Sequence, residues 1–337
     1  MEIDNFYKNK EVLVTGGCGS IGREIVKHLL KLNVKKVRVF DQNEFGQHNL
    51  KLDLKDYNNV EYILGNVRDY DSLKPSVRGV DIVFHVAALK HVPFCETDPI
   101  EAVKTNILGT HNMVELAREY AIDKFIFIST DKTVYPISTM AATKLLCEKI
   151  VLNSRLFNTS TKFSCVRFGN VLKSDGSVIP LFIEQMTKSK QITLTDERMS
   201  RFFMSIKDAT DLVLKSTMEA KGGEIFVLKM KSLMIKDLAE SIVEEFGPRL
   251  NINPKDVKTS YIGPRPSEKL YEQLMSEEEI PYAEDLGDRL VIKKDSIPNY
   301  NKRIDKGDYI SSYNSKLSKE QIKKMLLDLD LLDEIKK

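Results

Sequence analysis

No apolar run in this sequence approaches the roughly 20 residues that a helix needs to cross a bilayer. The first ten residues, Met1 to Lys10, are too polar for a secretory signal. The expectation is a soluble, cytoplasmic protein without a membrane partner. An excess of one charge sign is also missing: Lys and Arg number 51 against 49 Asp and Glu, a formal net charge of +2. No global field therefore draws the chain to nucleic acid. Basic pairs such as Lys35-Lys36 and Lys293-Lys294 are interleaved with acids and read as solvated surface. The four cysteines, Cys18, Cys95, Cys147 and Cys165, make no C-x-x-C pair, and the five histidines make no H-E-x-x-H. Reduced thiols and no metal site are expected.

What is present is a core-forming chain of 337 residues, 42% apolar and 30% charged. That length suits one large α/β unit or two unequal lobes. The first half alternates β-branched runs with helical patterns. Strands are predicted over 11–15, 36–40, 61–64, 81–85, 124–129 and 163–167, with helices over 21–32, 102–120 and 140–153. In the long helix Val103, Ile107, Val114 and Ala117 are expected inward. This alternation predicts a Rossmann-like, doubly wound parallel sheet covered on both faces, with a smaller C-terminal substrate-binding lobe. Residues 1–170 are assigned to the first domain, joined by a later strand near 222–229. Residues 171–317 are assigned mainly to the lobe and 318–337 to a C-terminal helix. Within the lobe, helices are expected at 179–188 and 235–246, while 284–315 is polar, lacks periodicity and reads as surface wrapping. Ser318 and Gln321 fit a capping box for the last helix.

The first strand runs into Thr15-Gly-Gly-Cys-Gly-Ser-Ile-Gly22. A diphosphate can approach a backbone only where side chains are missing, and a helix start offers free N–H groups. Gly16, Gly19 and Gly22, with Ser20 and Ile21, are therefore candidates for holding a dinucleotide. Asp41 ends the second strand, 19 residues beyond Gly22. It reads as the acid that bonds an adenosine ribose, or as the cap of the next turn. No Lys or Arg lies in Phe40-Asp-Gln-Asn-Glu44 to pair a 2′-phosphate, which favours NAD over NADP. Asp69 reads as an adenine neighbour or an ordinary helix N-cap. Ala87 and Ala88 are small enough for a cofactor to pass. Asn106, in an otherwise apolar helix, needs a polar partner.

The fifth strand ends in Ser129-Thr-Asp-Lys132. Ligands bind at the carboxyl edge of a parallel sheet. A hydroxyl, a carboxyl and an amine gathered there can hydrogen-bond, give a proton and take one. Taken alone, the same residues also read as a solvated turn. Met140 and Lys144 follow, four apart on one helix face.

With Ala88-Leu-Lys-His-Val-Pro93, Thr105-Asn-Ile-Leu-Gly-Thr110, Arg167-Phe-Gly-Asn170, Gly176-Ser-Val-Ile-Pro180, Ser200-Arg-Phe-Phe-Met204 and Arg265-Pro-Ser-Glu-Lys-Leu-Tyr-Glu272 in order, the chain resembles the extended short-chain dehydrogenase/reductase superfamily. Within it, the chain resembles the polysaccharide-biosynthesis UDP-N-acetylglucosamine 4,6-dehydratases, from about Val12 to Glu272. The resemblance implies transient oxidation of the sugar at C4 by bound NAD, loss of water and hydride return to C6. It implies Thr130 on the C4 oxygen, Asp131 as acid for the departing C6 hydroxyl, Lys132 as base for C5 and Lys144 on the nicotinamide ribose. For the UDP-sugar it implies Lys90, His91, Asn170, Arg201, Arg265 and Glu268, with His91 also readable as structural. A homodimer or larger homo-oligomer is implied, paired through 102–120 and 140–153. Two departures stand out. Met140 occupies the superfamily's tyrosine position, where a thioether cannot relay a proton, which leaves open the group that takes the C4 hydroxyl proton, with Tyr135 one nearby candidate. Ser267 replaces the usual glycine. The methionine and the acidic 40–44 segment resemble the branch that retains the C5 configuration. The alternatives are a sugar epimerase of the same fold, which should keep the tyrosine, and a non-catalytic dinucleotide-binding protein.

Overall fold

A computed structural model describes residues 2–157, 159–172, 177–264 and 267–329. In chain order its strands are β1 Glu11–Thr15, β2 Lys36–Asp41, β3 Val60–Leu64, β4 Ile82–His85, β5 Lys124–Thr130, β6 Lys162–Phe168 and β7 Asn170–Val171. They continue as β8 Gln191–Leu194, β9 Ser200–Met204, β10 Glu224–Leu228, β11 Lys231–Met234, β12 Lys258–Tyr261, β13 Ala283–Asp285 and β14 Arg289–Lys293. The chain divides into two compact units.

The first unit holds Met1–Phe168, Ile206–Leu228 and Met275–Arg303. Its nine-stranded sheet runs β13-β14-β10-β6-β5-β4-β1-β2-β3. The order 3-2-1-4-5-6 within it is that of a doubly wound dinucleotide fold. β10 extends the sheet parallel to β6, and β14 and β13 close it antiparallel. Strands β4, β5 and β6 are almost continuously buried, as β-branched and aromatic runs covered on both faces must be. Register carries the strand ends to one level: Thr15 pairs with both Phe40 and His85, and His85 with Phe127.

The second unit holds Gly169–Ser205, Lys229–Leu274 and Ile304–Lys337. It contains the sheet β11-β9-β7 and the pair β12-β8. Its own core gathers Ile179, Phe182, Ile183 and Met186 with Leu238, Ile242 and Phe246, and with Ile322 and Leu326 of the last helix. That helix, Lys319–Leu327, starts on the expected Ser318–Gln321 capping box.

Three segments depart from the sequence reading. The helix expected over 102–120 is broken by a π-helical stretch, Val103–Leu108. The extra residue per turn swings Val103 and Ile107 to half-buried positions and turns Thr105 and Asn106 inward. The span 284–315 is not merely wrapping. It contributes β14, whose Leu290, Val291 and Ile292 are buried, and the short helix Lys306–Tyr309. Ile206–Glu219, unread in the sequence, is a helix of the first unit.

That helix is tied to the sheet by one charge. Lys124, at the start of β5, donates from Nζ to the carbonyls of Thr217 (2.8 Å), Met218 (3.0 Å) and Ala220 (2.9 Å). A buried ammonium thus satisfies the last carbonyls of a helix where the dipole favours a cation. Lys124→Met keeps the aliphatic stem and removes all three bonds. The expected loss is roughly 2–4 kcal/mol of unfolding free energy, read from urea denaturation.

Candidate active site

At the carboxyl edge of β1 the backbone turns at Gly16, with φ +66°. A Cβ there would lie 2.7 Å from the Ala87 amide nitrogen, and one on Gly22 would lie 2.2 Å from the Gly16 carbonyl oxygen. Both positions need glycine for close approach of backbone to backbone. The following helix, Ser20–Lys31, has Gly19 at its N-cap and no side-chain cap. A helix start of this kind presents backbone N–H groups and positive potential to an anion. The loop is held from the next strand by Asp41. Asp41 Oδ2 accepts from the Cys18 N–H (2.9 Å) and Oδ1 from the Asn43 N–H (2.9 Å). Asp69 caps the helix Tyr70–Val77, with Oδ1 accepting from the N–H groups of Asp71 and Ser72. A glycine cradle, an uncapped helix start and an acid at the end of β2 fit the dinucleotide that such a fold implies.

Beside the cradle lies a buried histidine that the sequence reading passed over. His85, fully buried at the end of β4, has Nδ1 2.7 Å from Thr15 Oγ1 and Nε2 3.1 Å from Thr110 Oγ1. Thr15 Oγ1 in turn accepts from the Ala87 N–H at 3.4 Å. A neutral ring serves both threonines, one nitrogen accepting and the other donating. Burial, helped by the charge of Lys144, pulls its pKa down to about 3. The segment after Ala87 and Ala88 is clamped by Asn106. Its Oδ1 accepts from the Leu89 N–H (2.7 Å), and its Nδ2 donates to the Leu89 carbonyl (3.0 Å) and to Thr143 Oγ1 (3.0 Å). The polar partners that Asn106 required are therefore the Leu89 backbone and the Thr143 hydroxyl. Lys90 and His91 follow on exposed chain, with the His91 ring edge-on to Phe94.

The end of β5 brings Thr130, Asp131 and Lys132 together. Thr130 Oγ1 donates to Asp131 Oδ1 at 2.9 Å, and Lys132 Nζ reaches the same oxygen at 3.0 Å. Asp131 is fully buried, and its Oδ2 has no hydrogen-bond partner among the described residues. A carboxylate oxygen stripped of water is costly unless something meets it. This arrangement is not that of a solvated turn.

Lys144 lies on the helix Thr139–Asn153, with Nζ 2.5 Å from the Ile128 carbonyl and 4.1 Å from the Phe127 ring centroid. Burial draws its ammonium down to about 8, against the upward pull of Cys147, Glu148 and Cys165. Met140 is not among these polar groups: it packs in an apolar cluster with Cys95, Ala102, Leu89 and Val92. Tyr135 sits on strained, left-handed backbone (φ +49°), and its hydroxyl accepts from the Glu277 N–H at 3.4 Å.

In the second unit Asn170 donates to the Phe202 carbonyl at 3.2 Å. Arg201 is buried, and its fork is engaged by protein. Nη1 donates to the carbonyls of Ser200 and Leu270, Nη2 to that of Lys269, with Glu268 and Glu272 at 3.8 and 3.6 Å. Arg201, expected to meet the UDP-sugar, here clamps the segment 268–272. Ser267 adopts φ +65°, the conformation that explains a glycine preference there. Arg265 lies outside the described residues, as does Gly176. Among the described residues no cluster of His, Cys, Asp or Glu could hold a metal, and no helix is long and apolar enough to cross a membrane.

A family model described as polysaccharide biosynthesis protein matches residues 12–294. An uncharacterized membrane protein of Methanocaldococcus jannaschii is 50% identical, covering 98% of this chain and 99% of its own. A UDP-glucose 4-epimerase of Rickettsia akari is 39% identical over 97% of this chain and 98% of its own. Among solved structures, Pen from Bacillus thuringiensis superposes with a TM-score of 0.90 at 40% identity, covering 97% of this chain and 99% of that one. A dTDP-glucose 4,6-dehydratase from Streptomyces venezuelae, solved with NAD bound, shares the fold at TM-score 0.69 and 21% identity, covering 77% and 86%.

A neutral His85 makes the cradle acid-sensitive. Its folded pKa, about 3, lies below the ordinary 6.5. The unfolded state therefore binds more protons between these values, and folding stability drops as pH falls from 6.5 toward 3. At pH 5 the expected loss from this group is about 2 kcal/mol. Urea denaturation of the wild type and of His85→Gln at pH 7 and pH 5 checks it: the variant should lack this part of the acid slope.

Proposed function

The chain belongs to the polysaccharide biosynthesis protein family, and from that premise we propose that it is an NAD-dependent 4,6-dehydratase of a nucleotide-activated sugar. Its substrate is UDP-N-acetylglucosamine, and its product is the UDP-4-keto-6-deoxy sugar with the C5 configuration retained. The observation that carries this reading is the pairing of a fully buried acid with an amine at the end of β5, where Asp131 keeps one oxygen without a partner among the described residues.

NAD, held by the Gly16–Gly22 cradle with Asp41 at the ribose, Asp69 toward the adenine and Ala87-Ala88 alongside, supplies the hydride acceptor and later the donor. Thr130 orients the C4 oxygen, whose hydroxyl proton is released to solvent as the hydride departs and is recovered from solvent by the Asp131–Lys132 pair once water has left. Dehydration then needs one group to remove the C5 proton and another to protonate the leaving C6 hydroxyl. Lys132 and Asp131 are joined at 3.0 Å. Passing one proton across that contact turns the ion pair into a neutral amine and a neutral acid with no net change in charge. The proton so passed sits on Oδ1, the oxygen that faces Lys132, and from there it goes to the leaving C6 hydroxyl. Lys132 Nζ, freed of its proton, takes the one at C5. Lys144 holds the nicotinamide ribose. Lys90 and His91 meet the sugar, Asn170 and Glu268 contribute to the nucleotide side, and Arg265 binds the diphosphate by the bidentate match of guanidinium to phosphate.

A second reading has one observation in its favour: relatives such as the one from Rickettsia akari carry the name UDP-glucose 4-epimerase. Against it stand the methionine at 140, in apolar surroundings, and an acid–amine pair that exchange of configuration at C4 does not require.

Incubation of the purified chain with UDP-N-acetylglucosamine should give a product lighter by one water in mass spectrometry. An isomer of unchanged mass would favour epimerisation. Asp131→Asn and Lys132→Met should each lower turnover by about 100-fold or more while NAD binding stays intact. Full activity in both would remove the assignment. Calorimetric titration should show NAD bound more tightly than NADP, because the Asp41 carboxylate repels a 2′-phosphate and no cation sits in residues 40–44 to offset it.

A further inference from the structure

One buried network at the first unit's core is built from residues given no role above, yet it brackets the reacting loop. Glu148 lies one turn beyond Lys144 on the same helix and is 1% exposed. Its Oε1 accepts from Ser129 Oγ (2.5 Å), Thr133 Oγ1 (3.2 Å) and Arg167 Nε (3.1 Å), and its Oε2 accepts from Arg167 Nη2 (2.7 Å). Ser129 immediately precedes the three residues Thr130, Asp131 and Lys132, and Thr133 immediately follows them. Both ends of the loop hang on a single carboxylate oxygen. Thr133 Oγ1 also donates to the Thr130 carbonyl at 2.8 Å, which tightens the loop on itself. The anchor is in turn fixed. Arg167 is buried and extends to Glu279 (2.9 Å), which accepts from the Ser276 N–H (3.0 Å) and pairs with Lys294 (3.2 Å).

We propose that Glu148 is a positioning residue: by receiving Ser129 and Thr133 on one oxygen, it sets the place of Asp131 and Lys132 without touching substrate or cofactor. A flexible three-residue loop would let the Asp131–Lys132 pair drift. Misplacement of about 1 Å at a reacting group can cost on the order of 100-fold in rate. A carboxylate suits the role better than an amide, because it alone can accept from two hydroxyls and a guanidinium together. The proposal rests on the dehydratase reading for its kinetic part only.

Glu148→Gln would leave Arg167 with half its counter-charge and can fail to fold, so the test cuts the bonds from the loop side. The NAD-loaded full chain is compared as wild type, Ser129→Ala, Thr133→Val and Thr133→Ser. In Ser129→Ala and Thr133→Val, kcat on UDP-N-acetylglucosamine should fall by roughly 10- to 100-fold, with KM and the NAD Kd changed by less than about 3-fold. Amide hydrogen exchange over residues 130–134 should speed up, with the rest of β5 unchanged. Thr133→Ser, which restores the hydroxyl, should recover both readouts. Wild-type kcat with wild-type exchange in the two hydroxyl-less variants would overturn the proposal. So would a loss in which NAD binding falls as far as kcat, because the carboxylate would then be supporting the cofactor site. If the wild type releases no dehydrated product, the dehydratase reading fails by itself. The exchange arm still decides whether Glu148 holds the loop.

Discussion

The first unit is organised around a guanidinium that has no access to water. Arg167 is among the largest fully buried side chains, and it stands at the end of β6 between Glu148 and Glu279. Taking three charges out of water is costly, and the attraction among them offsets that cost only if every donor and lone pair is used. Here the bookkeeping is close to complete: Ser129, Thr133, the Ser276 N–H and Lys294 take up what the ions leave. Although burial pushes the Glu279 carboxyl up, the Arg167 charge and hydrogen bonds bring it down to about 2, so it stays ionised. The network joins β5, β6, the helix Thr139–Asn153 and the turn Glu277–Tyr282. It cannot be satisfied in a slipped register, because a one-residue shift of β6 would point Arg167 to the other face. An ion cluster of this kind selects one arrangement even where an apolar substitute would be equally stable.

The same logic operates one strand pair away, with neutral groups. His85, Thr15 and Thr110 join the ends of β1 and β4 to the helix Gly109–Glu119, and Asn106 holds the chain that leaves β4. The π-helical stretch makes this possible, because it turns Thr105 and Asn106 inward where a regular helix would have presented Val103 and Ile107. The neighbouring Arg68 engages Thr105 and Glu101, so the irregular turn is also braced by a charged side chain. Loops at the carboxyl edge of the sheet are thus supported from beneath by polar groups whose partners are protein atoms. Asp131 Oδ2 is the conspicuous exception.

Much of this was legible before any coordinates. Strand β1 falls on the predicted residues, and β2 to β6 fall within one residue at each end, because β-branched runs bounded by helical patterns have few other solutions. The Gly16–Gly22 loop, the Ser318 cap and the need of Asn106 for a partner were readable for the same reason: each is a local demand of backbone or buried polar chemistry. The unread parts are demands that only tertiary structure reveals. Arg167 ends a strand of otherwise apolar character, which signals a buried charge, but nothing local says that its partners lie 19 and 112 residues away. β14 carries only three apolar residues in a polar stretch and gains its identity from pairing with β10. Arg201 looked like a phosphate ligand because guanidinium forks match phosphate, yet a fork matches two backbone carbonyls equally well.

Methionine at position 140 follows from the same distribution of polar groups. The side chain is 4% exposed and lies against Cys95, Ala102, Leu89 and Val92. A hydroxyl buried in such a cluster costs a few kcal/mol unless it finds a partner. The thioether fills the space at no such cost and fastens the short helix Val92–Thr97 to the start of the longer one, where Glu96 already accepts from the Thr139 N–H and hydroxyl. Under the dehydratase reading, proton chemistry is then concentrated on the Thr130–Asp131–Lys132 loop, held from both ends by a single buried carboxylate. The dependence of that loop on Glu148, and of Glu148 on Arg167, ties the chemistry to the core ion cluster rather than to the helix position that ordinarily supplies the hydroxyl.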